Sequence, residues 1–374
     1  MNKVECLDGL RGFAALWVLA GHCMILTGWS LPIIGQPDLG VDLFILLSGF
    51  LMVFQARIRS EREDWGRPST WAAFWVRRVF RIAPLYYVLL AVALLLGPWI
   101  YADRVAIDAA LGHQVQSPSR YLDAGPVNIW MHLSFLFGLV RSYAFRTPLP
   151  DWSIGLEMQF YAAFPFLYLL ARRTGWIAGS IVAAGLGLAI ALALRWAHIT
   201  YPMPSLLALK LHLFVAGMLI AAAADRSSWM KAVHLALVML LTSIPIGGAH
   251  GLRNLAIRET LAIGFFALIY WRSVQPIGLL SKLLGSPVAH WLGELSFGVY
   301  LFHLLIMHRA AAWAITQPGL HGSARFLVVL GITAPIAYGL AAVTYRFIER
   351  PGQAVGKRLI ALGAGARTRP LAAG

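Results

Sequence analysis

The sequence predicts an all-α, polytopic membrane protein, a bundle of about ten transmembrane helices with both termini in the cytoplasm. Three observations carry that prediction. Of 374 residues 59% are hydrophobic and only 13% charged, with a mean hydropathy of +0.70, a composition of membrane proteins rather than of water-soluble domains. The apolar residues gather into runs close to the ~20 residues that a helix needs to cross a bilayer. The basic residues gather on alternate sides of those runs.

In chain order the runs are 7–27, 39–56, 80–99, 153–171, 176–195, 206–224, 231–248, 255–271, 287–309 and 325–347. The first begins after Lys3, and its LAGHC ending faintly resembles a lipoprotein box. Asp8 and Arg11 interrupt the apolar core of any signal peptide and His22 breaks the box, so the helix is expected to be retained. An eleventh apolar piece, 127–140, is too short to cross and reads as a re-entrant or interfacial segment. With the N-terminus inside, 20 of the 31 Lys and Arg residues fall on the cytoplasmic side and ten outside, with Arg11 left within the first helix. Counting 127–140 as a crossing would move Arg172 and Arg173 outside and spoil that asymmetry. The inner segment 57–79 leads to WVRRVFRIAPLYY, where Pro84 is expected to open the third helix. The outer segment 100–152 is rich in proline and aromatic residues, and Tyr121, Trp130 and Tyr143 are placed to stack on a ligand's rings or to sit in an interfacial belt. Residues 1–350 read as one membrane domain, and 351–374 as a short, basic, Gly/Ala-rich cytoplasmic tail expected to be frayed.

The net charge of +15 does not indicate nucleic acid, because the basic residues lie in short loops where membrane topology accounts for them. Cys6 and Cys23 stand near opposite ends of one helix, which excludes a disulfide between them, and no metal-ligand cluster is present in the sequence. Membrane lipid is the partner that the composition itself requires.

Ionisable residues inside apolar runs are costly, and they face a bundle interior or a wet cavity. LDGLRGFAALWVLAGH, residues 7–22, carries Arg11 and His22 eleven positions apart, on one helical stripe and roughly 16 Å apart. Glycine and alanine around them allow close helix approach. His22, Asp42, Glu157 and His303 fall at similar depths toward the outer face, on four different runs. A histidine with a carboxylate that orients it is a general acid/base centre, which makes Asp42 the expected orienter of His22. Each residue also has a structural reading: Asp42 as a helix-start residue bonding free N–H groups, Glu157 as an ion-pair partner, Tyr300 and His303 as hydrogen-bonded core residues. Arg77 and Arg81, at i,i+4, share a helix face at the inner boundary and with Arg78 and Arg11 form a guanidinium cluster suited to phosphates, or to anionic lipid. The same intramembrane groups are compatible with a proton relay in a transporter or flippase.

Six motifs in order, LDGLRGFAALWVLAGH, GVDLFILLSGFLM, RRVFRIAPLYY, WSIGLEMQFY, LGELSFGVYLFH and FIERP, together resemble the acyltransferase 3 family of integral-membrane acyltransferases, across Leu7 to Pro351. The resemblance implies transfer of an acyl group, commonly acetyl, from acyl-coenzyme A to a hydroxyl of a glycan or related small-molecule acceptor, in the bacterial inner membrane. Acyl-coenzyme A is then a donor substrate and no cofactor is bound permanently. By position His22 is the implied catalytic histidine, with Asp42 and Glu157 the acidic positions, Arg11, Arg77 and Arg81 the donor-binding positions, and Tyr300 and His303 lining the cavity. Met158 stands where many members carry a second glutamate, and Glu294 occupies a position that is often basic. No hydrolase-like domain follows the last helix, so the membrane domain is expected to handle its acceptor alone or with a separate extracytoplasmic protein.

Overall fold

The computed structural model describes residues 6–248 and 251–367. The start of the first domain, with Lys3, and the end of the tail, with Arg369, lie outside the described residues. The helices are α1 (Cys6–Thr27), α2 (Pro37–Ile58), α3 (Pro68–Leu111), α4 (Ser119–Leu122), α5 (Pro126–Leu133), α6 (Trp152–Thr174), α7 (Trp176–Trp196), α8 (Leu207–Ala222), α9 (Ser228–Thr242), α10 (Leu252–Tyr270), α11 (Ile277–Leu284), α12 (Pro287–Ile315), α13 (Gly322–Thr344) and α14 (Arg350–Arg367). No strand occurs among the described residues.

Every predicted run lies largely within a helix, and among the described residues seven helical stretches are long and apolar enough to cross a membrane: α1, α2, α3, α6, α7, α12 and the stretch from α13 to Gly363. Apolar side chains such as Leu95, Leu186 and Leu327 point outward from α3, α7 and α13, a surface suited to lipid and not to water. The protein is an integral membrane protein. Segment 127–140 holds only α5 and one 3-10 turn, Leu136–Gly138, and neither is long enough to span.

The core is built on α1, α2, α8 and α12. In α8 every residue except Leu207 and Leu209 is buried, which is why an apolar helix of 16 residues is sufficient there. Glycines set the spacing between these helices. A Cβ at Gly49 would stand 2.0 Å from the carbonyl of Phe214, and one at Gly217 would stand 2.1 Å from that of Leu46, so α2 and α8 touch backbone to backbone.

Two expectations about boundaries are corrected. Pro84 does not open the third helix; Pro68 does, and α3 continues for 44 residues through Pro84 and Pro98. Proline fits the first turn because that N–H has no helical partner. The ring of Pro84 lies against Gly352, where a Cβ would approach it to 2.6 Å. The same contact bears on the tail: as far as Arg367 it is helical, α14, and packed on α3 through Gly352 and Gly356 rather than frayed.

Candidate active site

Two cavities are lined by the same five helices, α1, α2, α3, α6 and α12. The first, of about 370 Å³, is lined by Arg11 of α1, Ser48 of α2, Arg78 and Arg81 of α3, Glu157 of α6 and Tyr300 of α12. The second, of about 450 Å³, is lined by His22 of α1, Asp38 at the start of α2, Trp152 of α6 and His308 of α12, with Arg104 and Arg120. On α2, α6 and α12 the boundary between them falls within about a turn: Asp38 against Val41, Trp152 against Ser153, Tyr300 against Leu304. Tyr300 closes that boundary. Its hydroxyl donates to the Pro150 carbonyl at 2.7 Å and therefore accepts from the Ser153 hydroxyl, also at 2.7 Å.

His22 is held in one tautomer. Its Nδ1 lies 3.0 Å from the Val18 carbonyl, which can only accept, so Nδ1 carries the proton. His303 Nδ1 likewise donates to the Tyr300 carbonyl at 2.7 Å, which leaves His303 Nε2 as an acceptor. That atom is 3.1 Å from His22 Nδ1 and shares its proton. The rings stand 5.0 Å apart, tilted by 39°. His22 Nε2 is thereby left with a free lone pair on the half-buried side of the ring, in the second cavity.

Asp42 does not orient His22. Its carboxylate is buried between α2, α8 and α10, with Oδ1 accepting from Lys210 Nζ and Oδ2 from Arg258 Nε at 3.0 Å. Periodicity does not announce this, because Lys210 and Arg258 read as outer-side charges when helix ends are placed only to within a turn. The place expected for Asp42 is taken by His303, which is fully buried and lines neither cavity.

Arg11 and Arg81 face the first cavity and make no hydrogen bond or ion pair among the described residues. Arg78 faces it too, donating to Gln55 Oε1, with its guanidinium 5.5 Å from the rings of Phe74 and Tyr161. Arg77 turns away and forms a two-point pair with Glu63, both contacts at 2.9 Å. Neighbouring positions on a helix point about 100° apart, and spacing alone did not tell whether Arg77 or Arg78 accompanies Arg81. Three carboxylates share the cavity, yet none pairs with these arginines. Asp8 contacts His290 at 2.8 Å, Glu294 accepts from Tyr345 at 3.0 Å, and Glu157 accepts from Ser48 at 2.9 Å and from Tyr161. The guanidinium forks are left open for a ligand.

The wall between the cavities at the start of α6 is braced by Asp151. This buried carboxylate accepts from Thr147 at 2.7 Å and Tyr86 at 3.1 Å, with His132 Nε2 3.7 Å away. Burial pushes its carboxyl above the ordinary range, against the pull of His132 and the two hydroxyls.

Comparison with known proteins identifies the family. A family model, the acyltransferase domain of the acyltransferase 3 type, matches residues 4–343. The chain is 24% identical to the peptidoglycan O-acetyltransferase OatA of Listeria monocytogenes, over 93% of this chain and 55% of that protein. It is 26% identical to the putative membrane-bound transacylase BcsY of Komagataeibacter xylinus, over 81% of this chain and 72% of that one. It is 21% identical to a putative O-acetyltransferase of Staphylococcus aureus, over 94% of this chain and 57% of that one. The chain thus spans little more than half the length of the first and third of these relatives. No solved structure matches it significantly. With one domain model covering both the Arg11 cavity and the His22 cavity, the chain belongs to the acyltransferase 3 family.

Proposed function

We propose that this protein transfers an acyl group, acetyl in the first instance, from acyl-coenzyme A to a hydroxyl of a cell-surface or exported glycan. We place it in the bacterial inner membrane with ten crossings and both termini cytoplasmic. The Arg11 cavity then opens to the cytoplasm, where the donor is made, and the His22 cavity opens outward, where the acceptor is found. The observation that carries the reading is the tautomer of His22: a basic nitrogen aimed into one cavity, on the same helix as an unpaired arginine in the other.

Arg11, Arg78 and Arg81 hold the coenzyme A phosphates through their fork-shaped donors. Arg77, clamped by Glu63, fixes the start of α3 instead. Glu157 keeps a negative charge among the arginines, and Ser48 and Tyr161 orient it. His22 Nε2 takes the proton of the acceptor hydroxyl as the oxygen attacks the thioester carbon. The C–O bond forms, the C–S bond breaks, and the proton passes to the departing thiolate. His303 acts through His22 as a positioning residue. The Tyr300 hydroxyl must leave Pro150 or bend aside to let the thioester reach the acceptor, since reacting atoms have to come to roughly 3–3.5 Å. Presentation of the acceptor by a separate extracytoplasmic protein is compatible with this arrangement.

The test is release of coenzyme A from radiolabelled acetyl-coenzyme A by protein in nanodiscs, with and without a glycan extract of the host. Acceptor-stimulated release that vanishes in His22→Ala and falls in Arg11→Ala is the expected result. Failure to bind any acyl-coenzyme A would overturn the reading and favour a transporter or flippase that uses the same intramembrane residues.

A further inference from the structure

Arg120 lies in the short helix α4 and lines the His22 cavity. Only 9% of it is exposed, and no carboxylate lies within 4 Å of it among the described residues. Its guanidinium sits 3.7 Å from the ring centre of Phe145 and 5.3 Å from that of Tyr121. Rings over the flat face of a guanidinium leave its in-plane N–H donors to be satisfied at the edge. One of those donors reaches Gln116 Oε1 at 2.6 Å, and Nε is buried without a partner. A second unpartnered atom serves the same cavity. His308 Nδ1 donates to the Leu304 carbonyl at 2.7 Å, and its buried Nε2 is an acceptor with nothing to accept from. Arg104, the other arginine there, is already neutralised by a two-point pair with Asp108, at 2.8 and 2.9 Å.

The His22 cavity does not end at Arg120. Gln116, Arg120 and Phe145 are shared with an adjoining cleft of about 340 Å³ that also contains Arg141, and Arg146, which is paired with Asp123 at 2.7 Å. A basic path therefore leads from the protein surface through Arg120 to His22. A desolvated cation with open donors is costly unless an anion meets it.

We infer that the acceptor carries an anionic group, a carboxylate or phosphate on the sugar chain, that docks on Arg120 and sets which hydroxyl reaches His22. Sugar hydroxyls next to that anion can donate to His308 Nε2 and to Asp38, the one carboxylate lining the cavity among the described residues. This inference deepens the acyl-transfer reading and rests on the His22 cavity being the acceptor cavity.

The experiment measures binding without any donor, on the full chain in nanodiscs, by calorimetry. The probes are tetragalacturonate, its carboxyl-reduced neutral counterpart, and galactose 6-phosphate. Tetragalacturonate is expected to bind about tenfold or more tighter than the neutral chain. Arg120→Gln should remove that preference, Arg120→Lys should keep part of it, and added salt should weaken it in the unmodified protein. Tight binding of the phosphate probe alone would support the inference and name phosphate as the anion. Equal affinity for charged and neutral chains, no binding of either charged probe, or a charge preference untouched by Arg120→Gln would each overturn it. The comparison of probes on unmodified protein needs no variant to fold. Because no coenzyme A enters the assay, failure of acyl transfer and failure of this inference are read separately.

Discussion

The two cavities share five helices and differ in how their charges are held. In the Arg11 cavity three guanidiniums and three carboxylates coexist without pairing, each carboxylate being bonded to a hydroxyl or to histidine. In the His22 cavity the basic nitrogen is set by two carbonyls and a second imidazole, with no carboxylate in the chain of contacts. On the proposed reading, the Arg11 region receives the donor's negative charge, and the His22 region takes a proton beside the anion held at Arg120. A single helix, α1, supplies the central residue of each. Wholesale repositioning of α1 would disturb both sites together, whereas point changes should separate them.

The largest separation is expected at His22. His22→Gln removes the base while leaving an amide at the cavity, and should lower acceptor-dependent coenzyme A release by about 10²–10⁴-fold. Donor affinity, measured by equilibrium binding, should be nearly unchanged because the Arg11 cavity is intact. Loss of donor binding in that variant would break the division into two sites.

Next in size is Asp42, where the expectation concerns stability and not turnover. Asp42→Asn strips the charge that faces Lys210 and Arg258, leaving two buried cations close together. Breaking a buried pair of this kind costs about 3–5 kcal/mol. The yield of folded protein and the midpoint of thermal unfolding should fall, while the protein that folds keeps a near-normal turnover. A folded Asp42→Asn protein with normal stability and no turnover would return Asp42 to the chemistry of His22.

Asp42 also shows where a sequence stops being legible. Helix positions were readable because apolar runs of bilayer length have few other uses, and the pairing of Arg11 with His22 on one stripe follows from helical periodicity alone. The partner of a buried charge depends on which helices are neighbours, and periodicity within one helix carries no information about that. His303 reads from the sequence as a cavity residue, whereas it is buried against His22, and i,i+4 spacing favours Arg77 beside Arg81, whereas Arg78 faces the cavity. Both differences come from rotation and depth smaller than a turn. Lys210, Arg258 and Arg120 looked like ordinary loop or boundary charges. Only burial reveals them, and burial is a property of the assembled bundle. The short span of α8 is the same lesson in backbone form: Gly49 and Gly217 meet across two helices 168 positions apart in sequence, and nothing local announces the meeting.

The arginines give a smaller, paired test. Arg78→Ala removes a fork from the donor cavity and should raise the KM for acetyl-coenzyme A by about tenfold or more, the order expected for hydrogen bonds to a charged group. Arg77→Ala breaks only the pair with Glu63 at the start of α3. It should change that KM by about twofold at most, within the scatter of partly exposed pairs. Reversal of the two effects would mean that α3 rotates when the donor binds.

The smallest expected effect lies at the boundary itself. Tyr300 joins α12 to the start of α6 through Pro150 and Ser153, so Tyr300→Phe deletes two hydrogen bonds while keeping the ring. Each is worth about 0.5–1.5 kcal/mol, so the bundle should survive with a modest loss of thermal stability. The consequence for chemistry is more specific. On the proposed reading, a thioester waiting in the Arg11 cavity is protected from water in the His22 cavity by this contact, since a closed site limits hydrolysis of a reactive group. Without the hydroxyl, water reaches the thioester beside a base that is already set. Coenzyme A release in the absence of acceptor should therefore rise severalfold in Tyr300→Phe, whereas acceptor-dependent release changes little. The double variant Tyr300→Phe with His22→Gln should lose the rise, because water also needs His22 Nε2 to take its proton. If acceptor-free release rose equally with His22 absent, the leak would follow a route that bypasses the histidine, and the two cavities would be joined at some point other than Tyr300.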